Sequence, residues 1–119
     1  MALLKREEIL GAGDLPTETV AVPEWGGEVI VKTMMAAERD AWEAANVKGR
    51  GKSARLEMVN IRARLVAATV VDEAGALLFK PGDVEALGAK SGAAMDRVFA
   101  AAMKLNGLSD RDLEELEKN

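Results

Sequence analysis

From Thr17 to Lys32 the chain changes period. Thr19, Val20, Ala21 and Val22 lead into Pro23, Glu24, Trp25, Gly26 and Gly27, and Glu28, Val29, Ile30, Val31 and Lys32 follow. Two β-branched stretches around a proline and a glycine pair predict a β-hairpin, because those residues supply the dihedrals that a reversal needs. This segment limits the fold more than any other. An isolated two-stranded ribbon is barely stable in water, so it must lie against a helix or pair with another chain. The rest reads mostly at helical spacing. The expected class is therefore α+β: a mainly helical small domain with an N-terminal β-hairpin and one shorter extended segment.

The helical pattern starts before the hairpin. Leu3–Leu10, reading LLKREEIL, is a short amphipathic piece stopped by Gly11 and Gly13, and it reads as a docking segment. After the hairpin, Thr33 is the expected N-cap of a helix reaching Ala45, with Trp42 anchoring its buried face. Ser53 to Val70 is the longest predicted helix. It carries Leu56, Val59, Ala63, Val66 and Val70 on one stripe and Met58, Ile61, Leu65 and Thr69 on nearly the opposite one. Such a helix must be sandwiched, with Glu57, Asn60 and Arg64 as its wet strip. Asp72 to Gly75 reads as a turn, and Ala76 to Phe79 as an extended apolar run packing on the central helix. Pro81 and Asp83 open a short helix ended by Gly88. Ser91 to Asn106 is another, burying Met95, Val98, Phe99, Ala102, Met103 and Leu105. Ser109, three residues before Asp112, resembles a capping box for the charged C-terminal segment.

At 119 residues and 12.7 kDa the chain suits one core, and the expected division is a single domain over 1–119. Within it lie an N-terminal helical segment (1–16), the hairpin (17–32), a helical core (33–108) and a charged C-terminal helix or tail (109–119). Hydrophobic residues make up 49%, yet 21 are alanine, so the core must be modest and alanine-packed. Histidine, cysteine and tyrosine are absent, which removes thiolate nucleophiles, imidazole bases, His- or Cys-ligated zinc and disulfides. With 16 basic against 20 acidic residues, whole-molecule attraction to nucleic acid or an anionic membrane is not expected. No signal-peptide core or membrane span is visible, so the expected location is the cytoplasm.

The sharpest decoy is Asn46 to Ser53, which ends in the Gly-Lys-Ser of a phosphate-binding loop and precedes a predicted helix. Asn46 stands where that motif needs its first glycine, and the loop follows a helix rather than a buried strand. Lys48, Arg50 and Lys52 therefore read as a flexible basic loop, with no aromatic side chain among them to stack a base. Paired acids such as Asp72 and Glu73 lie on exposed elements and fail the spacing of a calcium loop, and a core this small and alanine-rich offers little room for a desolvated catalytic carboxylate. No catalytic residue, metal site or cofactor is expected. Six methionines suit a surface that accepts variable partners, with Met34 and Met35 the ones expected near the surface. Trp25, at a turn tip, either folds back or reaches a neighbour. The candidate partner-binding residues are thus Trp25, Met34, Met35 and Trp42.

Taken in order, the string from Leu3 to Ala45, the later VVDEAGALLF, DVEALGAKS and AMDRVF, and the ending LNGLSDRDLEELEKN resemble the tail assembly chaperones of long-tailed bacteriophages. The resemblance implies a non-enzymatic protein that binds the tape measure protein, a long apolar helical polypeptide. It would keep that client soluble while the tail tube polymerises, self-associate into a homo-oligomer, and be missing from the mature virion. The tail tube protein is a further candidate partner, and neither nucleic acid nor membrane is expected. Such families commonly make two products through ribosomal frameshifting. Glu117-Lys118-Asn119 can be encoded GAA AAA AAC, which contains a slippery heptamer, so the chain is expected to be the short product of a frameshifted gene. The alternatives are a structural neck or tail-terminus protein and a small nucleic-acid-binding regulator.

Overall fold

The computed structural model of the chain describes residues 2–48, 55–56 and 59–109. In chain order the elements are α1 (Arg6–Leu10), β1 (Thr17–Val22), β2 (Gly27–Lys32), α2 (Ala36–Ala45), β3 (Val47–Lys48), β4 (Arg55–Leu56), α3 (Ile61–Thr69), β5 (Val70–Val71), α4 (Val84–Gly88) and α5 (Gly92–Leu105). The result is a small α+β fold with the hairpin near its N-terminus, as the periodicity predicts.

The hairpin pairs Thr17 with Lys32 and Val22 with Gly27. A 3-10 turn at Pro23–Trp25 reverses the chain. Gly26 closes that turn at φ 75°, a left-handed conformation that glycine reaches without a Cβ clash. The ribbon lies against a helix, as its stability demands, and gains a third strand from its own chain. β5 adds to β2, with Ile30 opposite Val71, giving the order β1-β2-β5. α5 packs across β1 and β2, and Val22 and Val31 are wholly buried beneath it.

The core centres on α3. Ile61, Ala63, Leu65, Val66, Ala67 and Thr69 are all buried, so nearly every face of this helix meets protein, as its two apolar stripes demand. The Thr69 hydroxyl donates to the Leu65 carbonyl at 2.7 Å, which satisfies a buried polar group within the helix. α5 supplies Ala94, Met95, Val98, Ala102 and Met103 from the face predicted for it. Ser91 caps its start by accepting from the Ala94 N–H at 3.3 Å. Outside the core, Arg62 ties α3 to α5 through Asp96 at 2.7 Å and lies 5.5 Å from the Phe99 ring centre.

Three boundaries differ from the sequence expectation. The long helix begins at Ile61 rather than Ser53: Arg55 and Leu56 are extended and pair with Lys48 and Val47, and Asn60 sits at φ 61°, which interrupts any helix running into it. Thr33 does not cap α2. Its hydroxyl donates to the Pro16 carbonyl at 2.7 Å, and α2 starts three residues later, where Glu38 accepts from the Met35 N–H at 2.8 Å. The run Ala76 to Phe79 meets the sheet at β5, with Leu77 bridged to Val71 and the Leu78 N–H donating to the Val70 carbonyl at 3.1 Å. Leu77 and Leu78 are exposed, and Phe79 alone packs on the core. The Asp72 turn forms as expected, its carboxylate accepting from the Ala74 and Ala76 N–H groups. Residues 110–119, and with them the expected capping box, lie outside the described residues.

Candidate partner-binding surface

The fold separates the four candidate side chains Trp25, Met34, Met35 and Trp42. Trp25 is 36% exposed on the hairpin turn, which Glu24 fastens to α5 by accepting from Arg97 Nε at 2.9 Å. Its own backbone N–H and Arg97 hold the Glu24 carboxyl below its ordinary value. Met35 is 52% exposed just before α2. Met34 is 5% exposed and belongs to the core, which corrects the expectation that both methionines reach the surface. The reason is a clip that the sequence did not suggest. Asn106, at the end of α5, accepts from the Met34 N–H at 2.7 Å and donates to the Ala102 and Lys32 carbonyls at 2.9 and 3.3 Å. This draws the strand-to-helix junction onto α5 and turns Met34 inward. The Asn106-Gly107 pair signals only a helix stop, and nothing in its spacing points to residues seventy positions earlier.

Trp42 is also a core residue, 4% exposed, but it forms one wall of a groove. This apolar groove, about 290 Å³ in volume, runs between α2, α3 and the segment 77–84. Ala41, Ala45, Ala67 and Ala68 provide small surfaces, while Leu77, Phe79 and Val84 rise on the other side. Alanine at these positions leaves the channel between the elements open. At the rim, Lys32 donates to Glu38 at 2.6 Å. Burial pushes the Glu38 carboxyl up, but the hydrogen bonds from Lys32 and the Met35 N–H outweigh it and hold the group below its ordinary value of 4.5. Arg64, on the same rim, donates from Nε to the buried Asn46 Oδ1 at 2.6 Å and from Nη1 to the Val59 carbonyl at 2.8 Å.

Two further surfaces have a chemistry that other chains can use. β1 is the outer strand of its sheet. Since the Thr33 N–H donates to the Pro16 carbonyl, strand alternation turns the Thr17, Thr19 and Ala21 backbone groups away from β2, towards the open edge. The N-terminal arm buries no residue of α1, and it leaves Leu3, Leu4, Ile9 and Leu10 exposed, Leu3 by 97%. Of the basic loop, Lys48 lies in β3, while Arg50 and Lys52 fall outside the described residues. Among the described residues no three metal-binding side chains converge, and no helix is long and apolar enough to cross a membrane.

Comparison with known families matches residues 14–119 to the phage tail assembly chaperone family. The chain belongs to that family. A solved structure described as that of the bacteriophage HK97 tail assembly chaperone is similar in fold, with a TM-score of 0.57 and 18% identity. The similarity covers 83% of this chain and 94% of that one. Comparison with curated protein sequences finds no match.

Proposed function

We propose that this tail assembly chaperone binds the tape measure protein through the groove between α2, α3 and residues 77–84, and keeps that client soluble while the tail tube assembles. The groove carries the reading: its lining is almost wholly apolar, and a groove of this kind takes the apolar face of a helix. A long helical client would offer many such faces, so repeated weak contacts from a self-associating chaperone would add up to firm retention. The tail tube protein is a further partner on this reading, which requires no catalysis, places the work in the host cytoplasm and lets the chaperone leave before the virion is complete.

Co-expression tests it. The tape measure polypeptide should be soluble with the wild-type chain and should precipitate with Ala41→Glu, which puts a charge into the groove from an exposed position. Equal solubility with both chains would overturn the groove as the client site. Detection of the chain in purified particles would favour a structural neck or tail-terminus role instead. The short-product reading is tested by the gene: GAG at Glu117 or AAG at Lys118 would remove the slippery heptamer.

A further inference from the structure

The N-terminal arm and the groove are complementary features of one chain. The arm displays Leu3, Leu4, Ile9 and Leu10 in a single amphipathic stretch and packs none of them. The groove offers an apolar, alanine-lined channel. One wall of that channel carries an unsatisfied polar atom. Trp42, which lines the groove and is buried, has an indole N–H with no acceptor among the described residues. A buried donor left in this way lacks a partner that folding normally provides. The arm brings large apolar side chains that its own domain does not bury. In the folded chain the arm stands away from its own domain, held at its root by the Thr33 to Pro16 pairing.

We propose that residues 3–10 of one copy seat in the α2–α3 groove of a second copy, the arm's leucines over the alanines. The contact is head-to-tail, because arm and groove are different patches. It rests on the proposed function in one respect: if the groove also takes the client, the arm is a place-holder that covers this surface until the client displaces it. The family match begins at residue 14, so the arm lies outside the matched region.

The chain has no cysteine, so single cysteines report contacts cleanly. Leu10→Cys and Ala41→Cys, both at exposed positions, are purified separately, mixed without client and treated with a short bifunctional maleimide. The expected result is a mixed covalent dimer well in excess of what either variant forms alone, and its loss when Leu3→Asp is added to the Leu10→Cys chain. No excess in the mixture would overturn the proposal. So would an intramolecular link that dominates in the double variant and persists on dilution, which would place the arm in its own groove. Because no client is present, failure here leaves the client reading intact. Normal cross-linking together with an insoluble client would instead overturn the client reading alone.

Discussion

Asn106 shows how much one polar side chain can organise. Its amide joins α5, β2 and the start of α2 by three hydrogen bonds, and its backbone carbonyl accepts from Arg39 at 3.3 Å. Asn106→Ala removes one acceptor and two donors from a half-buried site, leaving the Met34 N–H unmet. It should lower stability by about 2 kcal/mol, read as a lower denaturant midpoint at unchanged slope. Asn106→Asp keeps the acceptor for Met34 and should lose less. Glu38 sets the acid response. Its carboxyl is held below 4.5 in the folded chain, so near that pH the unfolded chain binds more protons. The stability it contributes is therefore complete above the unfolded value and is lost as pH falls through the lower folded value. Urea melts between pH 6 and pH 3 should show this loss, and Glu38→Gln should flatten it while lowering stability at neutral pH by about 1 kcal/mol. Gly88 is constrained from outside: a Cβ there would stand 2.2 Å from Asn60 Oδ1, so Gly88→Ala must displace that side chain. Neither Asn106 nor Glu38 was legible as special, because asparagine at a helix end and glutamate in a first turn are ordinary choices whose distant partners the chain order conceals.

At the scale of elements, the hairpin and α5 were readable because each carries its own punctuation. Pro23 and Gly26 mark the reversal, and Ser91 and Gly107 bound the helix. The start of α3 was not readable. The apolar spacing continues smoothly from Leu56 through Val70, and only the left-handed backbone at Asn60 and the pairing of Arg55 with Lys48 end the helix at Ile61. Asparagine tolerates that conformation better than most residues. Asn60→Ala should therefore destabilise the chain by about 1 kcal/mol, and Asn60→Gly should not, as measured by thermal unfolding. The arm is the opposite case. Since α1 buries nothing, deleting residues 2–13 should leave the melting temperature of a dilute sample unchanged while weakening association between copies, measured by sedimentation.

At the scale of the whole molecule, the core is one cluster uniting α3, α5, the hairpin and α2, and its alanines let these elements approach closely. Met95→Ala, at a buried position of that cluster, should lower stability by about 2–4 kcal/mol through lost burial and the cavity left behind. Ala41→Glu should leave melting unchanged, so any effect on the client is a surface effect. The α+β class, the helices flanking the hairpin and the absence of imidazole and thiol side chains could be read from the sequence, because periodicity, turn residues and composition are local properties; the resemblance to tail assembly chaperones rests instead on whole strings of residues. Tertiary structure alone decided that Met34 turns inward while Met35 stays out, and that Trp42 and the small residues of α2 and α3 meet Leu77, Phe79 and Val84 in one groove. A groove is made by residues distant in sequence, and its shape depends on how helices cross, which no local pattern specifies.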